Sequence, residues 1–110
     1  MPEPIHITAA ESEIMAALWR AGPLTPARLI ETVQARRGWG APTVKTLLAR
    51  LMQKQAVRSE RDDGRLVYRP LVDRETYVAA EVGALVDHLF QGDHAKLAEF
   101  LARDAAAEGR

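Results

Sequence analysis

The sequence predicts a mainly α fold of the α+β kind, with helices arranged around one two-stranded ribbon. Three observations point there. Before residue 55, apolar residues recur three times at helical spacing, each time between a capping residue and a breaker. Around Asp62-Asp63-Gly64 the spacing changes to alternation, the period of a strand. After Pro70 helical spacing returns twice.

The first helix starts at a capping box. Thr8 stands three residues before Glu11, so each side chain can satisfy an orphan backbone N–H of the other's residue. Ile14, Met15, Leu18 and Trp19 follow at helical spacing, and Gly22-Pro23 ends the run. The second helix begins at Thr25 as N-cap with Pro26 in the first turn, where its missing N–H costs nothing. Leu29, Ile30 and Val33 form its buried stripe. Arg36 and Arg37 complement the negative end of its dipole before Gly38 stops it.

The third helix is predicted over 42–55. Val44, Leu47, Leu48 and Leu51 fall on one arc at about 100° per residue. The opposite arc holds Thr43, Lys45, Thr46, Ala49, Arg50, Gln53 and Lys54, with no acidic residue among them. Such a face suits a DNA major groove. Arginine forks onto guanine, glutamine pairs with adenine, and a threonine methyl meets that of thymine. The cations also neutralise phosphates.

A hairpin follows, with strands 56–61 and 65–69 about a three-residue Asp62-Asp63-Gly64 loop. Leu66 and Tyr68 are expected to face the core, and Arg65, Val67 and Arg69 the other side. Arg58, Arg61, Arg65 and Arg69 make the ribbon basic, while the acidic tip repels phosphate. Helix, helix, helix and ribbon in this order make a winged helix-turn-helix, whose later helix enters the major groove. Arg28, Arg36, Arg37, Arg65 and Arg69 are the expected backbone contacts.

Beyond Pro70 a long helix is capped by Asp73 and stopped by Gly92, and Asp93 caps a last helix whose 105–110 tail is expected to fray. Val78, Val82, Leu85 and Leu89 form a short heptad-like seam, widened by Val86 and Phe90. With Leu97, Phe100 and Leu101 they are the expected interface of a homodimer, because a small domain gains core by pairing. The division is therefore a winged-helix DNA-binding domain over 1–70 and a helical dimerisation segment over 71–110. Charge divides the same way. Residues 1–69 carry 11 Lys/Arg against 7 Asp/Glu, and residues 70–110 carry 4 against 8.

Composition narrows the function classes. The 110 residues are 47% apolar and 27% charged, which is globular. Cysteine is absent, which excludes disulfides, cysteine zinc sites and thiol nucleophiles. No apolar run of about 18 residues occurs and residues 1–5 lack signal-peptide character, so no membrane insertion and a cytoplasmic location are expected. Ser12 and Ser59 have no neighbouring histidine, and His6, His88 and His94 lack metal-ligand spacing. No enzyme, cofactor or metal is predicted. A winged helix that binds protein rather than DNA is the alternative, and it would carry apolar residues where the third helix has only Ala49.

The chain resembles the penicillinase-repressor (BlaI/MecI-type) family of bacterial regulators over residues 7–101. The resemblance rests on Ile7-Thr8-Ala9-Ala10-Glu11, Ile14-Met15, Leu18-Trp19, Gly22-Pro23, Trp39, the run Thr43 to Leu51, Lys54, Gly64-Arg65, Tyr68, Pro70, Gly92 and Phe100. It implies a homodimeric transcriptional repressor on a dyad-symmetric DNA operator, with Thr43, Lys45, Thr46 and Arg50 at the positions for DNA contact. It also implies a sensor protease acting at Glu99–Phe100, although the family's residue before the Phe is Asn. The Gly40-Ala41-Pro42 run likewise departs from the family's Ser and basic residue. Copper-responsive relatives use a Cys-rich motif that this chain lacks.

Overall fold

The computed structural model describes residues 5–108. They form α1 (Ala9–Ala21), α2 (Pro26–Arg37), α3 (Ala41–Gln53), β1 (Val57–Asp62), β2 (Arg65–Pro70), α4 (Arg74–Leu89) and α5 (His94–Glu108). The chain divides into two compact units, 1–74 and 75–110. The first extends four residues past Pro70 because it holds the connecting segment. Leu71 N donates to Ala56 O at 2.8 Å, and the Trp19 indole N–H donates to Val72 O at 2.8 Å.

In the first unit the caps set the helix bounds. The Thr8–Glu11 box is closed in both directions, at 3.0 and 3.1 Å. The Thr25 hydroxyl accepts from Arg28 N, and Gly38 leaves α2 with φ 72°, a left-handed exit that disfavours a side chain. α3 ends two residues early, at Gln53, because Gln55 turns left-handed at φ 64°. Ile14, Met15, Leu18, Leu29, Val44, Leu51 and Val57 are enclosed between the three helices and the ribbon.

The hairpin turns more tightly than alternation predicts. Asp62 pairs with Arg65, so the loop is Asp63-Gly64, and φ values of 52° and 80° give the primed turn that matches strand twist. Its faces also differ from expectation. Val67 is buried, whereas Leu66 and Tyr68 are half-buried. The reason is that β2 packs against α1 and α2 as well as pairing with β1 and, through Tyr68, with Leu24. A strand whose faces are covered by packed helices is not half solvated, and one-face alternation fails there.

One buried charge ties this unit together. Glu11 is 1% exposed, and its carboxylate accepts from Lys54 Nζ at 2.5 Å as well as from Thr8 N. Lys54 Nζ also donates to the His6 carbonyl at 2.9 Å. Burial, the largest influence, pushes the Glu11 carboxyl up. The Lys54 hydrogen bond, the Thr8 backbone bond, the Lys54 charge and the Thr8 side chain together outweigh it and hold the pKa below the usual carboxylate range.

In the second unit α4 ends at Leu89, the chain turns through Gln91 (φ 50°) and Gly92 (φ 80°), and Asp93 caps α5 by accepting from Ala95 N at 3.0 Å. The Phe90 and Phe100 rings meet at 6.2 Å, tilted by 52°. α5 stays helical to Glu108 where fraying is predicted from 105, since Ala-rich sequence favours continuation. Among the described residues no helix is long and apolar enough to cross a membrane.

Removing the buried carboxylate is expected to be costly. Glu11→Ala loses about 2–4 kcal/mol at pH 7, measured by denaturant unfolding, since it removes a cap and strands Lys54. The stabilisation tied to the lowered pKa is present above the unfolded-state value and is lost as pH falls through the folded one. The gap between wild type and Glu11→Gln therefore closes on acidification; a gap constant to pH 2 refutes the assignment.

Candidate nucleic-acid interface

The face of α3 that points away from the core is the candidate. Val44, Leu47, Leu48 and Leu51 bury one arc of the helix, which fixes the other arc outward. Thr43, Lys45, Thr46, Ala49, Arg50 and Gln53 are all exposed there. Pro42, Thr43, Thr46, Leu47 and Arg50 line a shallow depression of about 350 Å³. The Thr46 hydroxyl donates to the Pro42 carbonyl at 3.0 Å.

Ion pairing among the described residues leaves the cations of this face uncovered, as it does Arg20 and Arg61 elsewhere in the unit. Among the described residues, no carboxylate stands within ion-pair reach of Lys45, Arg50 or Arg65. The expected backbone contacts elsewhere are mostly engaged. Arg28 pairs with Glu31 at 3.8 Å. Arg36 and Arg37 share the Glu13 carboxylate at 3.1 and 2.9 Å, and Arg37 also stacks over the Trp39 ring at 5.6 Å. Arg58 and Arg69 share Glu60, Arg58 at 3.1 Å. The Arg69 hydrogen bond, foremost, holds the Glu60 carboxyl below the usual carboxylate range.

Lys54 departs from its predicted place on the outer arc. It is the C-cap of α3, and its ammonium is turned inward onto Glu11 and the His6 carbonyl. A carboxylate buried to that degree requires a cation, and Lys54 is the one that reaches it. Glu13 and Glu60 are the residues that sequence reasoning missed. For Glu60 a signal existed: positions 58 and 60 alternate on one strand, and 69 lies opposite 58 in the register. Glu13 had none, because its arginines lie 23 and 24 residues away on another helix.

The residues assigned to pairing fall into three groups. Val78, Val82, Leu85 and Leu89 on α4, and Phe100 and Leu101 on α5, are between 36% and 57% exposed. Phe90 and Leu97 are half-buried. Val86 is fully buried within the single chain, so it has no surface left to offer a partner. Glu99–Phe100 lies inside α5. Ser12 donates its hydroxyl to the Ala9 carbonyl, and among the described residues no group of three His, Asp or Glu side chains is placed to hold a metal ion.

Comparison with known proteins agrees with this architecture. The transcriptional regulator BlaI of Mycobacterium tuberculosis is 36% identical over 104 residues, 89% of this chain and 73% of that one. A 16.5 kDa protein of Latilactobacillus sakei is 31% identical over 84 residues, and the match covers 76% of this chain but only 58% of that relative's length. The solved structure of Bacillus licheniformis BlaI, a monomeric form in complex with the blaP half-operator, superposes with TM-score 0.62 at 27% identity, covering 70% of this chain and 94% of that one. Residues 7–109 match the penicillinase repressor family model across nearly the whole sequence, and the chain belongs to that family.

Proposed function

We propose that the chain is a sequence-specific DNA-binding transcriptional repressor, not an enzyme, acting on bacterial promoter DNA in the cytoplasm. The observation that carries this reading is the outward arc of α3: hydroxyls, an amide and two cations free of carboxylates on a helix anchored by its other side. Thr43, Lys45, Thr46, Arg50 and Gln53 enter the major groove and read base edges. Arg65, which has no carboxylate beside it, contacts the backbone and fixes register. The half-operator complex of the BlaI relative supports the choice of partner.

The active form is a homodimer on a dyad-symmetric operator, with half-sites about 34–36 Å or a multiple apart. The second unit supports pairing. It has two helices, and among the described residues Val86 is its one fully buried large side chain. Six large apolar residues remain exposed on 36 residues, too little core for that unit to hold its shape alone. Burying five or six such side chains contributes on the order of 10 kcal/mol before the entropy of association. Relief of repression by a sensor protease at Glu99–Phe100 belongs to the same reading, and it requires α5 to unwind locally before that bond fits an extended-peptide cleft.

Arg50→Ala is expected to weaken binding to the best fragment selected from host genomic DNA by about 1–3 kcal/mol, and binding to random duplex by less. Equal losses demote Arg50 to a phosphate contact. Leu85→Asp is expected to give monomers by light scattering with the first unit still folded by circular dichroism; a mass unchanged from wild type counts against the seam. Intact mass after induction in the host tests proteolysis: a fragment ending at Glu99 supports it, and a full-length chain under derepression removes it.

A further inference from the structure

The arginines of the first unit are held in a pattern that the proposed function does not require. Two carboxylates each grip two guanidinium groups: Glu13 takes Arg36 and Arg37, and Glu60 takes Arg58 and Arg69. These four arginines come from α2 and from both strands of the hairpin, the elements that flank α3 in the chain. Each triad carries a net charge of +1 where its arginines alone would carry +2. The Glu13 and Glu60 side chains are themselves 13% and 25% exposed, so they are seated among their arginines rather than extended into solvent. Meanwhile Lys45 and Arg50 on α3 have no such partner among the described residues.

A carboxylate offers a guanidinium the same two-oxygen fork that a phosphate offers. Each of the four arginines gives its glutamate one nitrogen and keeps its other donors, so it meets a phosphate with half its charge cancelled and part of its fork engaged. Phosphate contacts supply the sequence-independent share of DNA binding, and base contacts supply the discrimination. We propose that Glu13 and Glu60 are specificity-determining residues: internal stand-ins for DNA phosphate that mute four arginines on the flanking elements and leave discrimination to the outward face of α3. This inference rests on the DNA-binding reading above and deepens it.

The experiment uses the full chain, a random-sequence 30-base-pair duplex and the best genomic fragment, with affinity measured across a salt series. Glu60→Gln keeps the side chain's shape and removes its charge. It is expected to tighten binding to the random duplex several-fold at low salt, and to steepen the salt dependence by about one phosphate contact, which is about 3.5-fold more affinity lost per fourfold rise in salt. The ratio of genomic-fragment to random-duplex affinity falls. Glu13→Gln combined with Glu60→Gln doubles the added slope. Adding Arg69→Gln to Glu60→Gln cancels the gain, which a general change of fold does not do. Unchanged random-duplex affinity and slope in Glu60→Gln, with the fold intact by circular dichroism, overturns the inference while leaving the DNA-binding reading standing on Arg50→Ala. A wild-type chain that binds neither duplex overturns both.

Discussion

The Glu11 carboxylate meets three parts of the first unit at once: the backbone at the start of α1, the ammonium at the end of α3, and through that ammonium the carbonyl of His6. The pair links residues 43 positions apart and ties the end of α3 to the start of α1. An isolated carboxylate in this position would be driven to protonate, so the cation and the backbone donor are conditions of the fold and not additions to it. Every property assigned to the outer face of α3 presupposes a helix held at a fixed rotation and length. The buried arc of Val44, Leu47, Leu48 and Leu51 sets the rotation, the left-handed turn at Gln55 sets the length, and Lys54 anchors the end to Glu11.

Against that fixed helix, the distribution of charge gains meaning. A surplus of cations over the first 69 residues suggests a uniformly basic surface. The structure replaces it with a graded one, in which flanking arginines are partly neutralised by Glu13, Glu31 and Glu60 and the α3 cations are not. Net charge by itself is a poor guide to where an anionic partner is gripped, because exposed ion pairs redistribute charge without changing the total. Each such pair has little effect on stability. Its effect is on the field that a ligand meets.

What the residues announced in advance was whatever depends on near neighbours. Thr8 with Glu11, Thr25 with Pro26, and Gly38 are local chemistry, and they mark the helix bounds almost to the residue. The outward arc of α3 was legible because helical period is local as well. What escaped prediction depends on tertiary partners. Lys54 reads as one more outward cation until a buried glutamate arrives from α1. Val67 reads as outward until helices from elsewhere in the chain pack against β2. Val86 reads as part of a seam until it is found enclosed. The two-residue turn was missed for a different reason: Asp62 looks like loop chemistry, yet its backbone still pairs with Arg65.

The bond from the Thr46 hydroxyl to the Pro42 carbonyl restricts what that side chain can recognise. A hydroxyl ordinarily presents either polarity, because its hydrogen rotates to suit the partner. Here the hydrogen is already directed back along the helix, so Thr46 shows the outside only oxygen lone pairs and a methyl group. In the proposed major-groove position it would complement the amino groups of adenine or cytosine and the thymine methyl, and repel the O6 and N7 of guanine. One backbone carbonyl inside α3 thereby turns an ambivalent residue into a one-way filter at the position where it stands.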